Sequence, residues 1–178
     1  MLWDVKGIKE LQAEIYEEDI GGLHYLPTIT SDPIHLISSR PIETYEDLKG
    51  LKISGDATLA FPFEEAGAVS ILIPPEELYL AGTTGIVDAI LWCGAKEATT
   101  SSWNEPFPYF LTNAVNGGAT QEWVVNLEMW DSLPSDMQEI LTLSWEALAK
   151  RQLVYYYEGE CASRKNFTLT TMPEEDWA

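Results

Sequence analysis

The chain has 178 residues, of which 46% are hydrophobic and 22% charged, a balance that folds around a core rather than staying disordered. Ten Lys and Arg stand against 29 Asp and Glu, a formal net charge of -19, which argues against binding nucleic acid by phosphate neutralisation. No apolar run approaches the roughly 20 residues of a membrane-crossing helix, and the length suits one good core or two small lobes.

Ile8, Leu11 and Ile15, with charges between them, predict a first helix from Trp3 to Glu18. Gly21-Gly22 stops it. Residues 23–30 and 33–38 read as two short strands, with His35 packed in an apolar run beside Ile34, Leu36 and Ile37. Thr44 and Asp47 resemble a capping box with Asp in place of Glu, opening one helical turn that Gly50 ends before a strand at Leu51-Lys52-Ile53. Gly55 to Gly67 reads as a helix. Pro62 suits only a first turn or a kink, so its start is placed late, near Leu59. Val69 to Ile73 is an apolar run that fits a fully buried strand. Pro75 suits the first position of a helix over Glu76 to Ala81, which Gly82 and Gly85 close. A buried strand follows over Ile86 to Trp92, then a helix over Ala95 to Ser102.

Trp103 to Asn116 is aromatic and Pro-rich, and reads as irregular or edge-like. Gly117-Gly118 is a turn, Glu122 to Val125 a strand, and Asn126 to Trp130 a short helix. Ser135 and Gln138 fit a capping box opening a long helix to about Arg164, with Met137, Ile140, Leu141, Leu143, Ala147, Leu148 and Val154 at near-helical spacing. Phe167 to Thr171 is a last strand. The alternation of strand and helix with short connections predicts an α/β fold with a parallel sheet. Ligands of such sheets bind beyond the carboxyl ends of the strands. That directs attention to Ser54-Gly55-Asp56, Pro74-Pro75 and Trp92-Cys93-Gly94.

Cys93 and Cys161 are far apart and form no CxxC motif; two buried free thiols are expected rather than a bridge. His24 and His35 lack metal-binding spacing. The first residues, Met1-Leu2-Trp3-Asp4-Val5-Lys6, have no signal-peptide pattern, and the chain ends abruptly at Asp176-Trp177-Ala178. An internal piece of a longer protein is the expectation.

Three segments, in order, resemble the solute-binding proteins of TRAP transporters (the DctP family). They are Pro41-Ile42-Glu43-Thr44-Tyr45-Glu46-Asp47-Leu48-Lys49-Gly50-Leu51-Lys52-Ile53; Gly67-Ala68-Val69 with Ile73-Pro74-Pro75-Glu76-Glu77-Leu78-Tyr79 and Thr84-Gly85-Ile86-Val87-Asp88-Ala89; and Val125-Asn126-Leu127-Glu128-Met129-Trp130-Asp131-Ser132-Leu133-Pro134. The resemblance implies a periplasmic-binding-protein-like, type II-like two-lobe architecture, here mostly one lobe plus a long inter-lobe helix, truncated at both ends. It implies residues 1–50 as a partial lobe with hinge strands, 51–125 as the main α/β lobe, and 126–178 as a return segment, forming one structural unit. It also implies a periplasmic receptor that closes on a small organic solute, an organic acid in most of the family, and delivers it to TRAP permease subunits. No cofactor is implied, although a calcium or sodium ion can accompany the ligand. A homodimer covering an open sheet edge is a further expectation.

Two departures stand out against the resemblance. The Arg common in the family after Leu-Lys-Ile is Ser54 here, followed by Asp56, and the Glu before Trp92 is Leu91. Either the ligand is less anionic than usual or another residue supplies the charge. The candidate ligand-binding residues are Ser54, Asp56, Trp92, Trp103, Glu105 and Gln121, with Asn104 in the same loop as Glu105. Ser54 and Asp56 also fit a turn and a helix cap, Trp92 a core aromatic, and Trp103 and Glu105 an exposed loop. Tyr155-Tyr156-Tyr157 point about 100° apart and cannot form one platform. An enzyme is the rival reading, but no GxSxG elbow, GxGxxG turn or P-loop is present. A non-binding remnant is the third.

Overall fold

The computed structural model describes residues 7–30, 33–92, 94–118 and 120–177. In chain order the elements are α1 (Ile8–Glu14), continued by a π-helical stretch (Ile15–Gly21), β1 (Leu23–Thr30), β2 (His35–Ser38), a 3-10 turn (Tyr45–Leu48), β3 (Lys52–Ser54), α2 (Ala57–Glu65) and β4 (Val69–Ser70). A second 3-10 turn (Pro75–Glu77) leads into α3 (Leu78–Thr83), then β5 (Ala89–Trp92), α4 (Ala95–Thr100), β6 (Tyr109–Leu111), β7 (Thr120–Asn126) and α5 (Leu127–Asp131). The chain ends with α6 (Ser135–Ser163), a 3-10 turn (Arg164–Asn166), β8 (Thr168–Thr170) and α7 (Glu174–Trp177). No helix among the described residues is long and apolar enough to cross a membrane. The chain divides into two compact units, residues 1–31 with 120–155 and residues 32–119 with 156–178.

The second unit is built on a six-stranded sheet in the order β4-β3-β5-β2-β6-β8. Successive strand residues point to opposite faces. Leu36, Leu91 and Leu111 therefore join one buried cluster with Ile53, Phe63 and Met172. Their neighbours Ile37, Ile90 and Phe110 join the other, with Leu78, Trp103 and Phe107. A sheet covered on both faces explains why its strands read as apolar runs.

The sheet is mixed rather than parallel. β3 runs parallel to β4 and β5, and β6 parallel to β8, but β2 is antiparallel to both β5 and β6. The strand-helix rhythm holds from β3 to β5; β2 enters from outside that run, and its pairing is non-local. The 103–116 segment is likewise corrected: it contains β6, an interior strand with Phe110 and Leu111 fully buried. Val69 to Ile73 is not a buried strand. Only Val69–Ser70 forms β4, at the sheet edge, and Val69 and Leu72 are exposed.

Local signals explain the ends of elements. The Asp47 carboxylate accepts the Thr44 backbone N–H and hydroxyl, both at 2.9 Å, the box that the sequence predicts. The α2 helix starts earlier than expected, because Asp56 caps it by accepting the Thr58 N–H at 2.9 Å; Pro62 is accommodated inside the helix. The Ser135 capping box does not form. Gln138 instead donates its side-chain amide to the Trp130 carbonyl at 2.8 Å, closing α5. Cys161 is a free thiol but exposed, not buried as expected; the expectation for Cys93 lies outside the described residues.

The first unit pairs β1 with β7 as a two-stranded antiparallel ribbon, with α1, α5 and α6 residues up to Tyr155. Its register shifts between Leu26 and Ile29, where Pro27 has no N–H to offer the ladder. His24 stacks on Trp130 at 4.0 Å and is held to Glu17 at 2.8 Å, and Trp123 packs on Trp145 at 4.6 Å. Tyr16 and Gln12 both donate to Glu122. A ribbon of two strands covers little. The α6 residues Met137, Ile140, Leu141, Leu143, Leu148 and Val154, apolar at helical spacing, remain exposed.

Candidate functional site

Trp92 is the last residue of β5, an interior strand of the second unit. Leu91 takes the opposite face, so the indole turns toward the cluster that holds Trp103. The two rings meet edge to face, with centroids 5.2 Å apart and planes at 84°. Trp103 is buried and Trp92 half-buried, so together they form an aromatic corner at the carboxyl end of the strand.

A carboxylate sits at that corner. Trp92 donates its indole N–H to Glu97 Oε2 at 3.0 Å, and Tyr156 donates its hydroxyl to Glu97 Oε1 at 2.6 Å. Glu97 lies in α4, which follows directly from β5, and Tyr156 on α6. Among the described residues no Lys, Arg or His lies within ion-pair distance of Glu97. Arg164 is committed to another acid: its Nε donates to Glu160 Oε1 at 2.9 Å, and its guanidinium lies 5.1 Å over the Phe110 ring. Glu160 is buried, and its other oxygen accepts the Lys96 backbone N–H at 3.2 Å. His35 packs on the same Phe110, at 4.6 Å. Its Nδ1 lies 2.9 Å from the Leu111 carbonyl, so Nδ1 carries the proton. Burial pushes the His35 pKa down, against an opposing pull from that hydrogen bond.

The structure places the predicted residues unevenly. Trp92 and Trp103 are brought together. Ser54 pairs in register with Ile90 of β5, but it is only 3% exposed, and its hydroxyl accepts the Ile73 N–H at 3.1 Å. Asp56 is exposed and acts as the α2 cap. Glu105 is exposed and accepts the Tyr79 hydroxyl at 2.6 Å, which raises the tyrosine's pKa. Gln121 stands on β7 in the first unit, where its carbonyl oxygen accepts from Gln152 at 3.3 Å. Glu97 and Tyr156 are absent from the sequence-based candidates. A usable signal existed for Glu97, an acid in the first turn of the helix that follows a strand end.

Two grooves lie elsewhere. One in the first unit, of about 210 Å³, is lined by Leu26, Val125, Trp130, Leu141, Trp145 and Leu148 with Ser144, and offers little polar chemistry. One in the second unit, of about 310 Å³, is lined by Phe63, Met172 and Trp177 among others; its Asp176 already accepts the Tyr45 N–H at 3.3 Å. Among the described residues no group of three or more His, Cys, Asp or Glu is placed to hold a metal ion.

Residues 4–171 match the model of bacterial extracellular solute-binding protein, family 7 (DctP). The chain is 30% identical over 102 residues, 57% of its length, to the monocarboxylate 2-oxoacid-binding periplasmic protein of Nostoc sp.. It superposes with TM-score 0.89 and 29% identity, over 99% of its length, on a TRAP periplasmic solute-binding protein of Chromohalobacter salexigens solved with (S)-(+)-2-amino-1-propanol. A second such protein, from Colwellia psychrerythraea with calcium and pyruvate, matches at TM-score 0.82 and 27% identity over 97% of the chain. The chain spans 28% of the Nostoc protein and 56% and 55% of the two solved ones.

Proposed function

The chain belongs to family 7 of the bacterial extracellular solute-binding proteins (DctP), and we propose on that premise that it captures a small organic solute in the periplasm for uptake through a TRAP-type permease. The observation that carries this beyond family membership is the corner at the end of β5, where Trp92 and Trp103 meet at 84° beside the Glu97 carboxylate. An aromatic wall with one oriented polar group is what a pocket for a small solute needs. It stands where open α/β sheets bind their ligands, beyond the carboxyl end of a strand.

The action is non-covalent. The solute is held and released unchanged. The relatives' ligands differ in charge, since one solved protein holds an amino alcohol and another holds pyruvate with calcium. In this chain the residue after Ile53 is a serine.

A thermal melt of the 178-residue chain against carboxylates, sugars, polyols and amines tests the proposal. A solute that binds only the folded state raises the midpoint, by about 2.7 kcal/mol of added stability at 100 times its Kd. At least one class is expected to do so. A melt that no class shifts would contradict the proposal.

A further inference from the structure

We propose that Glu97 is the anchor for a positively charged amine, so that the solute of this chain is a small protonated amine such as an amino alcohol, with the Trp92 indole as its neighbouring wall. This inference rests on the solute-binding reading above and names its ligand class.

The argument starts from the carboxylate. A half-buried carboxylate is costly unless its oxygens are satisfied. Those of Glu97 take one neutral donor each, the Trp92 indole N–H at 3.0 Å and the Tyr156 hydroxyl at 2.6 Å. Each oxygen keeps a second acceptor position. The two donors orient the group without cancelling its charge, and among the described residues no cationic side chain pairs with it. An ammonium group carries three donors and no acceptor, the complement of what remains. It is further attracted to an aromatic face within about 6 Å of the ring centre, and an indole is the best such face.

Other ligand charges fit worse. A carboxylate ligand would meet Glu97 as a like charge, and among the described residues no cation is ion-paired with Glu97 to offset it. Ser54 is buried with its hydroxyl already accepting from Ile73. Arg164 is bonded to Glu160 and lies over Phe110. The net charge of -19 further favours a cation over an anion at long range.

Three probes of similar size separate the charge classes: 2-amino-1-propanol, 1,2-propanediol and lactate, titrated calorimetrically into the 178-residue chain. The expected result is binding of the amine at least tenfold tighter than of the diol or the acid. Glu97→Gln should weaken the amine tenfold or more, while Glu64→Gln, an exposed surface change, leaves it unaltered. The wild-type preference decides the matter even if Glu97→Gln fails to fold. Lactate or the diol binding as tightly as the amine would overturn the inference and leave the solute-binding reading standing. Amine binding that survives Glu97→Gln would also overturn it, because the anchor then lies elsewhere. If none of the three binds, the inference is overturned, and the wider melt panel decides the solute-binding reading separately.

Discussion

The indole N–H of Trp92 and the carboxylate of Glu97 meet across 3.0 Å, tying the last residue of β5 to the first turn of α4. The bond spans five residues around Gly94, so it sets the plane of the indole from within one strand-helix connection. Tyr156 on α6 holds the other carboxylate oxygen and so fixes the acid from a distant part of the chain.

Removing one donor from this pair has a defined cost. Trp92→Phe keeps an aromatic ring but leaves Glu97 Oε2 without its partner. The expected loss is about 1 kcal/mol, read as a lower urea midpoint, together with weaker solute binding. Tyr156→Phe should lose a similar amount of stability. Unchanged midpoints in both variants would show that the carboxylate is not held as described.

Ser54→Arg tests whether the arginine common in the family can be restored by one substitution. Ser54 is 3% exposed and accepts from the Ile73 N–H. A guanidinium there would be buried without a partner and would displace that bond. A loss of several kcal/mol is expected, with no gain in carboxylate binding. A stable variant that binds lactate would contradict this placement.

Gly82 and Gly159 give a contrast within helices. A Cβ on Gly82 would lie 2.3 Å from Phe107 Cζ and 2.9 Å from Pro106 Cβ, and Phe107 is fully buried. Gly82→Ala should therefore cost about 1–3 kcal/mol by overpacking, despite the better helix propensity of alanine. The three atoms nearest a Cβ on Gly159 all belong to the flexible Lys96 side chain. Gly159→Ala should cost less than Gly82→Ala, by chemical denaturation of both.

His35 makes stability depend on pH in one direction. Its folded pKa lies below the ordinary value because burial disfavours the charged ring. The unfolded chain then takes up the proton first as pH falls. The stability His35 contributes is complete above about 6.5, the unfolded value, and is lost as pH drops from there toward the folded pKa. Urea midpoints of wild type and His35→Gln, compared at pH 7.5 and 5.5, should show a smaller fall in the variant. Equal falls would contradict the assignment.

What the sequence made legible was local. The Thr44–Asp47 box, the Gly21-Gly22 stop and the Asp56 turn all involve partners within a few residues, where spacing alone fixes geometry. Apolar runs placed β2, β3 and β5 for the same reason. The direction of β2 was not legible, because its neighbours β5 and β6 lie some fifty and seventy residues on. The exposure of Val69 was hidden too: an apolar run gives no sign of whether its strand is central or at an edge. At the candidate corner, the strand end and the loop beyond it point to Trp92 and Trp103, whose rings meet edge to face. Glu97 is not legible in the sequence because its partnership with Tyr156 crosses 59 residues. The burial of Ser54 depends on Ile73 in the adjoining edge segment, which spacing could not reveal.

The central claim is that a solute binds against Trp92, and tryptophan fluorescence tests it most directly. The chain is titrated with the solute that shifts its melt most, in parallel with Trp92→Phe and with Trp123→Phe, a control that removes a different, exposed indole. A saturable one-to-one change in wild type and Trp123→Phe, largely absent from Trp92→Phe with a weakened Kd, is the predicted result. An undiminished change and an unaltered Kd in Trp92→Phe would contradict the claim.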